Sequence, residues 1–300
     1  MQERVVFAGQ NHVFEDASEE LAFLTGVEVT AKQVERLTHA YGSILESEGN
    51  FNAPQDPLDI DATQHYGMID GGMILTREDD WKELKLARLF PAQAHLPENE
   101  GRNFINNSTY VAHLGGCTPF FKKLEETSDH LRNVVWICDG AKWIWNWIGK
   151  HFPESTQILD YYHCSEKLHE FAREAFKSEK ERKQWTEDQE NLLNNDQVEE
   201  VIENINAIEC KGKALELQRS LLTYYENNTE RMRYKTFKEQ GLLVGSGAME
   251  AAHRHVIQTR MKQSGQRWTI KGAQQIANLR VANKSGNWDH VLEHITMGKN

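Results

Sequence analysis

The stretch from Asn133 to His163 constrains the fold most, because it joins a buried-strand pattern to a charged end. Val134–Cys138 is a short apolar run rich in β-branched and aromatic residues, which is typical of a fully buried strand. The run ends at Asp139-Gly140, and an ionised carboxylate among apolar groups is unfavourable unless it is paired or binds a metal. Ligands of open α/β sheets bind at the carboxyl ends of strands. Asp139 is therefore a candidate site residue.

A second strand with an acid at its end follows directly. The pattern predicts a helix over Ala141–Lys150 and then a strand over Gln157–Leu159, which ends at Asp160. Strand, helix and strand in this order favour an α/β fold.

The first 60 residues have a mostly helical pattern. Helices are predicted over Asp16–Thr25 and Ala31–Glu46, the second capped by Thr30. Two short helices around a glycine-containing connection predict either a helix-turn-helix that reads DNA or a simple αα-hairpin that packs on the next domain. The second helix offers only Lys32 and Arg36 as cations.

Strand patterns begin after a proline-containing linker at Asn52–Asp61. His65–Asp70 predicts a strand that ends on an acid, Gly71-Gly72 a tight turn, and Met73–Thr76 the returning strand of a hairpin. Trp81–Leu89 predicts a third strand. Together these patterns predict an antiparallel meander with Asp70 near its start.

Residues 164–240 show no strand pattern and are rich in Glu, Lys, Gln, Leu and Asn, which predicts a separate subdomain of three or four helices. Gly245-Ser246-Gly247 then predicts the start of a helix over Ala248–Lys262, and Thr269 caps a helix over Ile270–Asn283. Glu250 falls in the first turn of the earlier helix.

Three acids stand out: Asp70, Asp139 and Glu250. Each has an ordinary explanation, since Asp before Gly is common in turns and Glu in a first helical turn is favoured by the helix dipole. Together they fit a two-metal site. Mg²⁺ takes oxygen ligands and leaves positions for water and substrate phosphate, and two ions about 4 Å apart assist phosphoryl transfer.

One block of the chain is electropositive. The net charge of -11 argues against unselective coating of nucleic acid, but charge distribution matters more than the total. From Ala251 to Lys284 there is no acid, and the block predicts contacts with phosphates, for which the candidates are Arg254, Arg260, Lys262, Arg267 and Lys271. Arg254 lies one turn after Glu250. Trp268 either packs in the core or stacks on an unpaired base.

Five strings carry a family resemblance: DGG at 70–72, WICDGAKWIW at 136–145, ILDYYH at 158–163, GSGAME at 245–250 and RMKQSGQRWTIKGAQQIANLR at 260–280. They resemble insertion-sequence transposases of the ISKra type, which are relatives of the Mutator-like DDE transposases. The second and last strings are long enough to be specific. The resemblance covers roughly residues 20–285.

The resemblance implies an RNase H-like catalytic core, with a mixed sheet of which three strands are antiparallel and with flanking helices. The core would comprise residues 61–163 and 241–285. Residues 164–240 would be an all-α insertion between the second Asp and the Glu, residues 1–60 an N-terminal helical region, and residues 286–300 a C-terminal tail.

The resemblance also implies a mechanism. Asp70, Asp139 and Glu250 would hold two Mg²⁺ ions, or Mn²⁺ in their place, for cleavage of DNA strands by water and transfer of the freed 3′-OH to target DNA. Asp160 and His163 match a D-x-x-H motif that follows the second Asp in Mutator-like enzymes. They are expected to orient DNA or the metal shell, unless they simply cap structure.

The expected partners are element-end and target DNA and further copies of the chain, and a separate N-terminal region is expected to bind the element ends. The four cysteines form no CxxC pair, which favours free thiols and a cytoplasmic location, and no apolar run predicts a membrane span.

Two alternatives compete. A transposase remnant would bind DNA without cleaving it, and a glycosidase would use two carboxylates without Mg²⁺.

Overall fold

The computed structural model describes residues 1–47, 64–97 and 103–297, so the predicted linker at Asn52–Asp61 lies outside the described residues. The chain divides into two compact units. Unit 1 comprises Met1–Val134 and Ala248–Asn300, and unit 2 comprises Val135–Gly247.

The first part of the chain holds three helices, five strands and a fourth helix within its described residues. In chain order these are α1 (Gln2–Asn11), α2 (Phe14–Thr25), α3 (Ala31–Ser47), β1 (His65–Leu75), β2 (Trp81–Pro91), a 3₁₀ turn (Ala92–Ala94), β3 (His95–Pro97), β4 (Asn103–Ile105), β5 (Thr109–Leu114) and α4 (Cys117–Ser128).

Two further strands and a series of helices follow. They are β6 (Val134–Cys138), α5 (Lys142–His151), β7 (Thr156–Leu159), α6 (Tyr161–Ala175), α7 (Glu179–Leu193), α8 (Val198–Asn206), α9 (Lys213–Glu226), a 3₁₀ turn (Thr229–Met232), α10 (Tyr234–Glu239), α11 (Gly247–Ala252), a π-helical segment (His253–Gln258), α12 (Thr259–Met261), α13 (Ile270–Lys284) and α14 (Trp288–Met297).

The protein has a mixed α/β fold. Within the described residues, five strands form one mixed sheet in the order β5–β2–β1–β6–β7, flanked by helices. β1 pairs antiparallel with β2 and β2 with β5, whereas β6 and β7 are parallel. The predicted mixed sheet with three antiparallel strands is therefore confirmed.

The predicted turn at Gly71-Gly72 is wrong. β1 continues through both glycines, with Gly71 opposite Lys85 and Gly72 opposite Leu84, and it pairs with β2 along its whole length. The chain reverses after Thr76, where the amide of Thr76 donates to Asp80 O. At both glycines a neighbouring side chain lies close to the backbone of β1, and such close approach is a second reason for glycine inside a strand.

The helices on either side of Gly26 match their predictions to within two residues. Gly26 ends α2 at φ 69°, a left-handed conformation that favours glycine. Thr30 and Gln33 cap α3 reciprocally, since Gln33 N donates to Thr30 Oγ1 and Thr30 N to Gln33 Oε1. α1 was not predicted, and it packs against both α2 and α3. Whether α2 and α3 read DNA stays a prediction.

Helix α13 is the core of unit 1. Gly272–Ala282 are buried without interruption, so this helix has no solvent-facing side. It packs against α3 and β5, and Thr269 Oγ1 caps it by accepting from Gly272 N. Residues 288–297, expected in a tail, form α14, whose Val291 and Ile295 pack in the same core because they lie one turn apart on an apolar face.

Residues 164–240 are helical, as predicted, but they contain parts of five α-helices, α6 to α10, where three or four were expected. Between residues 164 and 240, which are all described, the regular elements are helices alone. α6 ends at Ala175, and Ser178 caps the next helix, α7, by accepting from Glu181 N.

No described helix combines the length and the hydropathy that a membrane crossing requires.

Replacement of glycine by alanine should have opposite effects at two positions, because only one of them lies where α3 packs closely on α13. A Cβ at Gly42 would overlap the Gln275 carbonyl of α13, whereas a Cβ at Gly149, on α5, meets nothing within 4 Å. We expect Gly42→Ala to lower the free energy of unfolding by about 1–3 kcal/mol through overpacking. Gly149→Ala should raise it by about 0.5–1 kcal/mol through helix propensity. Thermal and urea denaturation measure both, and a stabilised Gly42→Ala variant would contradict the packing described for α13.

Candidate metal and nucleic-acid sites

Asp70 lies in the middle of β1, in unit 1, and its side chain is 31% exposed. Its Oδ1 accepts from Gly71 N at 2.7 Å, and its Oδ2 lies 3.4 Å from Nε2 of His253. Burial lowers the pKa of His253, and the nearby Asp70 charge only partly opposes this effect. The histidine is therefore neutral at pH 7 and does not neutralise the carboxylate.

Gly72 allows His253 to reach this position. A Cβ at Gly72 would lie 3.1 Å from the imidazole ring, closer than side chains normally pack. His253 also begins the π-helical segment, and such segments occur often at functional sites. Sequence reasoning missed His253, although a glycine pair inside a strand pattern is a signal for close approach.

Glu250 is exposed and lies on α11, three residues before His253. Residues three apart on a helix share a face, so Glu250 projects from the side of the helix that carries His253. Among the residues that the structure describes, its carboxylate has no hydrogen-bond or ion-pair partner.

Arg88 anchors the start of α11 within unit 1. Its guanidinium donates to Ala248 O at 2.6 Å and to Ser108 Oγ at 2.9 Å, and the side chain is buried. β2 thus fixes the backbone two residues before Glu250.

Asp139 follows β6 directly, in unit 2, and is half-buried. Its Oδ1 accepts from Ala141 N at 3.0 Å, which is a local turn interaction of the kind that Asp before Gly provides. A Cβ at Gly140 would overlap the ring of Tyr224, so only glycine fits there.

Asp160 is completely buried in unit 2 and is surrounded by donors. It accepts from Tyr162 N at 3.0 Å, from Ser246 N at 3.2 Å and from the Ser246 hydroxyl, and Nδ1 of His163 lies 2.6 Å from its Oδ2. Burial alone would raise its pKa, but the hydrogen bonds from His163 and Ser246 hold the pKa below its usual value. The carboxylate is therefore ionised and clamps the 245–247 turn to the start of α6.

His163 is oriented by this clamp. Because an ionised carboxylate only accepts, Nδ1 of His163 carries a proton and donates it to Asp160. Its side chain is 35% exposed. Sequence reasoning found the pair of Asp160 and His163 but missed Ser246, which lies 86 residues from Asp160 along the chain.

The electropositive block divides into a surface part and a buried part. Arg254, Lys262, Arg267 and Lys271 are exposed, as expected for phosphate contacts. Arg260 is not, since its side chain is 1% exposed and donates to Gly9 O at 3.2 and 3.3 Å. Arg260 is therefore not expected to bind a phosphate directly, because its side chain is buried against α1 and donates to Gly9 O.

Trp268 belongs to the core. It is buried, and its Nε1 donates to Met261 O at 3.0 Å. This agrees with the first of its two interpretations.

The structure brings together Asp70 with His253, and Asp160 with His163 and Ser246. In the described part of the chain, no three or more His, Cys, Asp or Glu side chains form a ready-made metal cage.

The clamp at Asp160 predicts a pH-dependent stability. Asp160→Asn places an amide nitrogen among donors and removes the charge, so we expect a loss of roughly 1.5–3 kcal/mol in the free energy of unfolding at pH 7. Because the pKa of Asp160 is lowered by folding, its contribution is complete above the unfolded pKa of about 3.9 and disappears as the pH falls through the folded value. The difference between wild type and variant should therefore shrink towards pH 2.

Urea denaturation across this pH range measures the effect. Ser246→Ala, which removes the hydroxyl donor to Asp160, should also lower the free energy of unfolding, and Ser220→Ala, at an exposed serine on α9, is its control. A difference between wild type and Asp160→Asn that is independent of pH would contradict an ionised clamp.

Comparison with known proteins gives a family for the chain. No curated protein matches it. The profile of the uncharacterised protein family UPF0236 matches residues 91–295, which include Asp139, Asp160 and Glu250 and leave out Asp70. Since the match covers more than half of the sequence, the chain belongs to the uncharacterised protein family UPF0236.

Proposed function

We propose that this protein is the catalytic domain of a DDE-type DNA transposase, with Asp70, Asp139 and Glu250 as the ligands of two Mg²⁺ ions. The observation that carries the proposal is the Asp70 carboxylate. It is two-thirds covered and, among the described residues, has an ion-pair contact with His253 alone, whose pKa is lowered by burial. A carboxylate in this situation is stabilised by binding a metal ion.

The donor set fits Mg²⁺. Carboxylate oxygens are the protein ligands that Mg²⁺ prefers, and one or two for each ion leave positions for water and a phosphate. Such a site does not need three side chains around one ion. The exposed carboxylate of Glu250, on the helix face that also carries His253, is available for the same purpose.

The chain's own residues have separable roles in this proposal. Asp70, Asp139 and Glu250 would bind and orient the ions, Arg88 positions the backbone at Ala248, and Asp160 positions the 245–247 turn through Ser246. When bound, the ions activate the attacking oxygen and stabilise the leaving oxygen of a phosphodiester. His163, held by Asp160, is placed as an accessory group that orients DNA.

The fold supports the proposal without identifying a reaction. An RNase H-like core requires a mixed sheet with three antiparallel strands and flanking helices, and this sheet has that arrangement. An all-helical segment lies between Asp139 and Glu250 in the chain. We infer that this segment is the insertion that such transposases carry.

DNA is the proposed substrate and partner, and the protein would act on it as an oligomer in the cytoplasm. The exposed cations Arg254, Lys262, Arg267 and Lys271 would contact its backbone, with strong dependence on salt and little on sequence.

The proposal predicts cleavage that depends on metal ions. A labelled duplex carrying the DNA that flanks the coding sequence should be nicked in Mg²⁺ or Mn²⁺, and Glu250→Gln should reduce the rate by at least about 100-fold, the scale of losing one group that stabilises a transition state. Glu216→Gln is the matched control, because Glu216 is exposed on α9 and has no partner among the described residues.

Two results would contradict the proposal. Cleavage that persists in Glu250→Gln would remove this residue from the site. Salt-sensitive DNA binding by the wild type without any cleavage would favour the non-catalytic remnant.

A further inference from the structure

A cavity of about 270 Å³ in unit 1 is lined by cations from three parts of the chain. Arg77 comes from the turn after β1, Arg267 from the loop before α13, and Arg260 from α12. Cavities for drug-sized ligands have volumes of about 300–1,000 Å³, so this one suits a smaller group.

Backbone hydrogen bonds hold two of these cations together. Arg77 N donates to Trp268 O at 2.8 Å, and Trp268 N donates to Leu75 O at 3.1 Å. The end of β1 is thereby fixed to the 266–269 loop, which places Arg77 and Arg267 at one cavity although 190 residues separate them in the chain.

The guanidinium of Arg260 lies in the cavity wall. It stacks on the rings of Phe14 and Trp268, 4.9 Å from each ring centroid, and its hydrogen bonds go to Gly9 O. Burial lowers the pKa of Arg260 to about 10, so it stays charged at pH 7. Its charge contributes to the field in the cavity, although its hydrogen bonds are already made.

Arg77 and Arg267 are both exposed, and neither side chain has a hydrogen bond or an ion pair with any residue that the structure describes. The acids next to Arg77 are engaged elsewhere, since Glu78 accepts from Ile270 N at 3.1 Å and Asp79 pairs with Lys82 at 2.6 Å.

Two other lining residues matter. Nε2 of His39 is buried without a hydrogen-bond partner among the described residues, so a polar position of the cavity wall is unsatisfied. Glu35 is the one acid that lines the cavity, against three guanidinium groups.

We propose that this cavity binds one phosphodiester group of a nucleic-acid backbone, with Arg77 and Arg267 as its ligands. Guanidinium groups match phosphate oxygens through paired N–H donors, and two free ones beside a third buried charge favour a dianion or a phosphodiester over a neutral group. The choice of nucleic acid as the source of the phosphate rests on the proposed function.

A neighbouring groove extends the basic surface along α3. It is lined by Lys32 and Arg36 and shares Glu35 and His39 with the cavity. Successive phosphates of one strand would therefore meet cations beyond Arg77 and Arg267.

The test is the salt dependence of DNA binding in EDTA, where no cleavage occurs. Fluorescence anisotropy with a labelled duplex gives the association constant between 50 and 200 mM KCl. Each lost phosphate contact should reduce the slope of log K against log salt by about 0.9, so Arg77→Ala/Arg267→Ala, which removes both ligands of one phosphate, should reduce it by about 0.9. Arg219→Ala, at an exposed arginine on α9 with no described partner, should leave the slope unchanged.

Arg77→Lys/Arg267→Lys separates charge from geometry. Lysine keeps the charge but not the paired donors, so we expect the wild-type slope with weaker binding. Thermal unfolding of all variants should match the wild type, because both arginines are exposed. The proposal is overturned if the alanine pair keeps the wild-type slope, if Arg219→Ala lowers the slope equally, or if the wild type binds no DNA.

These outcomes are independent of the catalytic proposal. A reduced slope in the alanine pair without metal-dependent cleavage by the wild type would retain the phosphate cavity and remove the transposase site. Cleavage together with an unchanged slope in the alanine pair would retain the transposase site and remove the phosphate cavity.

Discussion

Unit 1 depends on the hydrogen bonds of one buried guanidinium group, that of Arg280. This side chain is 3% exposed and donates to Gln10 O at 3.0 Å, to Thr259 Oγ1 at 3.1 Å and to the carbonyl groups of His255 and Val256. Burial lowers its pKa to about 10, so the group is charged at pH 7, and a buried charge is tolerated only when it is hydrogen-bonded throughout. One arginine on α13 thus joins α1 to the π-helical segment, while the buried α13 packs against α3 and β5.

This arrangement explains the position of the candidate site within unit 1. Arg280 satisfies the carbonyl groups of His255 and Val256, in the wide turn of the segment that begins at His253. His253 can then lie against Gly72 and next to Asp70, while Arg88 fixes the backbone that carries Glu250. The exposed cations of the same block remain on the surface. The buried cations of the electropositive block therefore serve packing, whereas its exposed cations, in our proposal, bind DNA.

Much of the fold could be predicted from sequence, because local signals decided it. The strand over Val134–Cys138 and the caps at Thr30 and Thr269 are encoded in a few neighbouring residues. The glycine pair in β1 was misread because turn and strand both accept glycine, and only the partner, His253, 181 residues away, distinguishes them. The burial of Arg280 has the same character, since its helix carries polar residues such as Gln274 and Asn278 and its acceptors lie on distant elements. Asp70 could be predicted from sequence as a candidate site residue, whereas its neighbour His253 could not.

The central claim is that Asp70, Asp139 and Glu250 bind divalent metal ions. Anomalous diffraction from crystals of the full chain grown with Mn²⁺ tests it most directly, because it locates the ions independently of any DNA substrate. We expect anomalous peaks within about 2–2.5 Å of carboxylate oxygens of these residues, with none at the same positions in Asp70→Asn crystals. Ordered Mn²⁺ bound by other residues alone, or carboxylates of these three residues too far apart to share ions, would contradict the account.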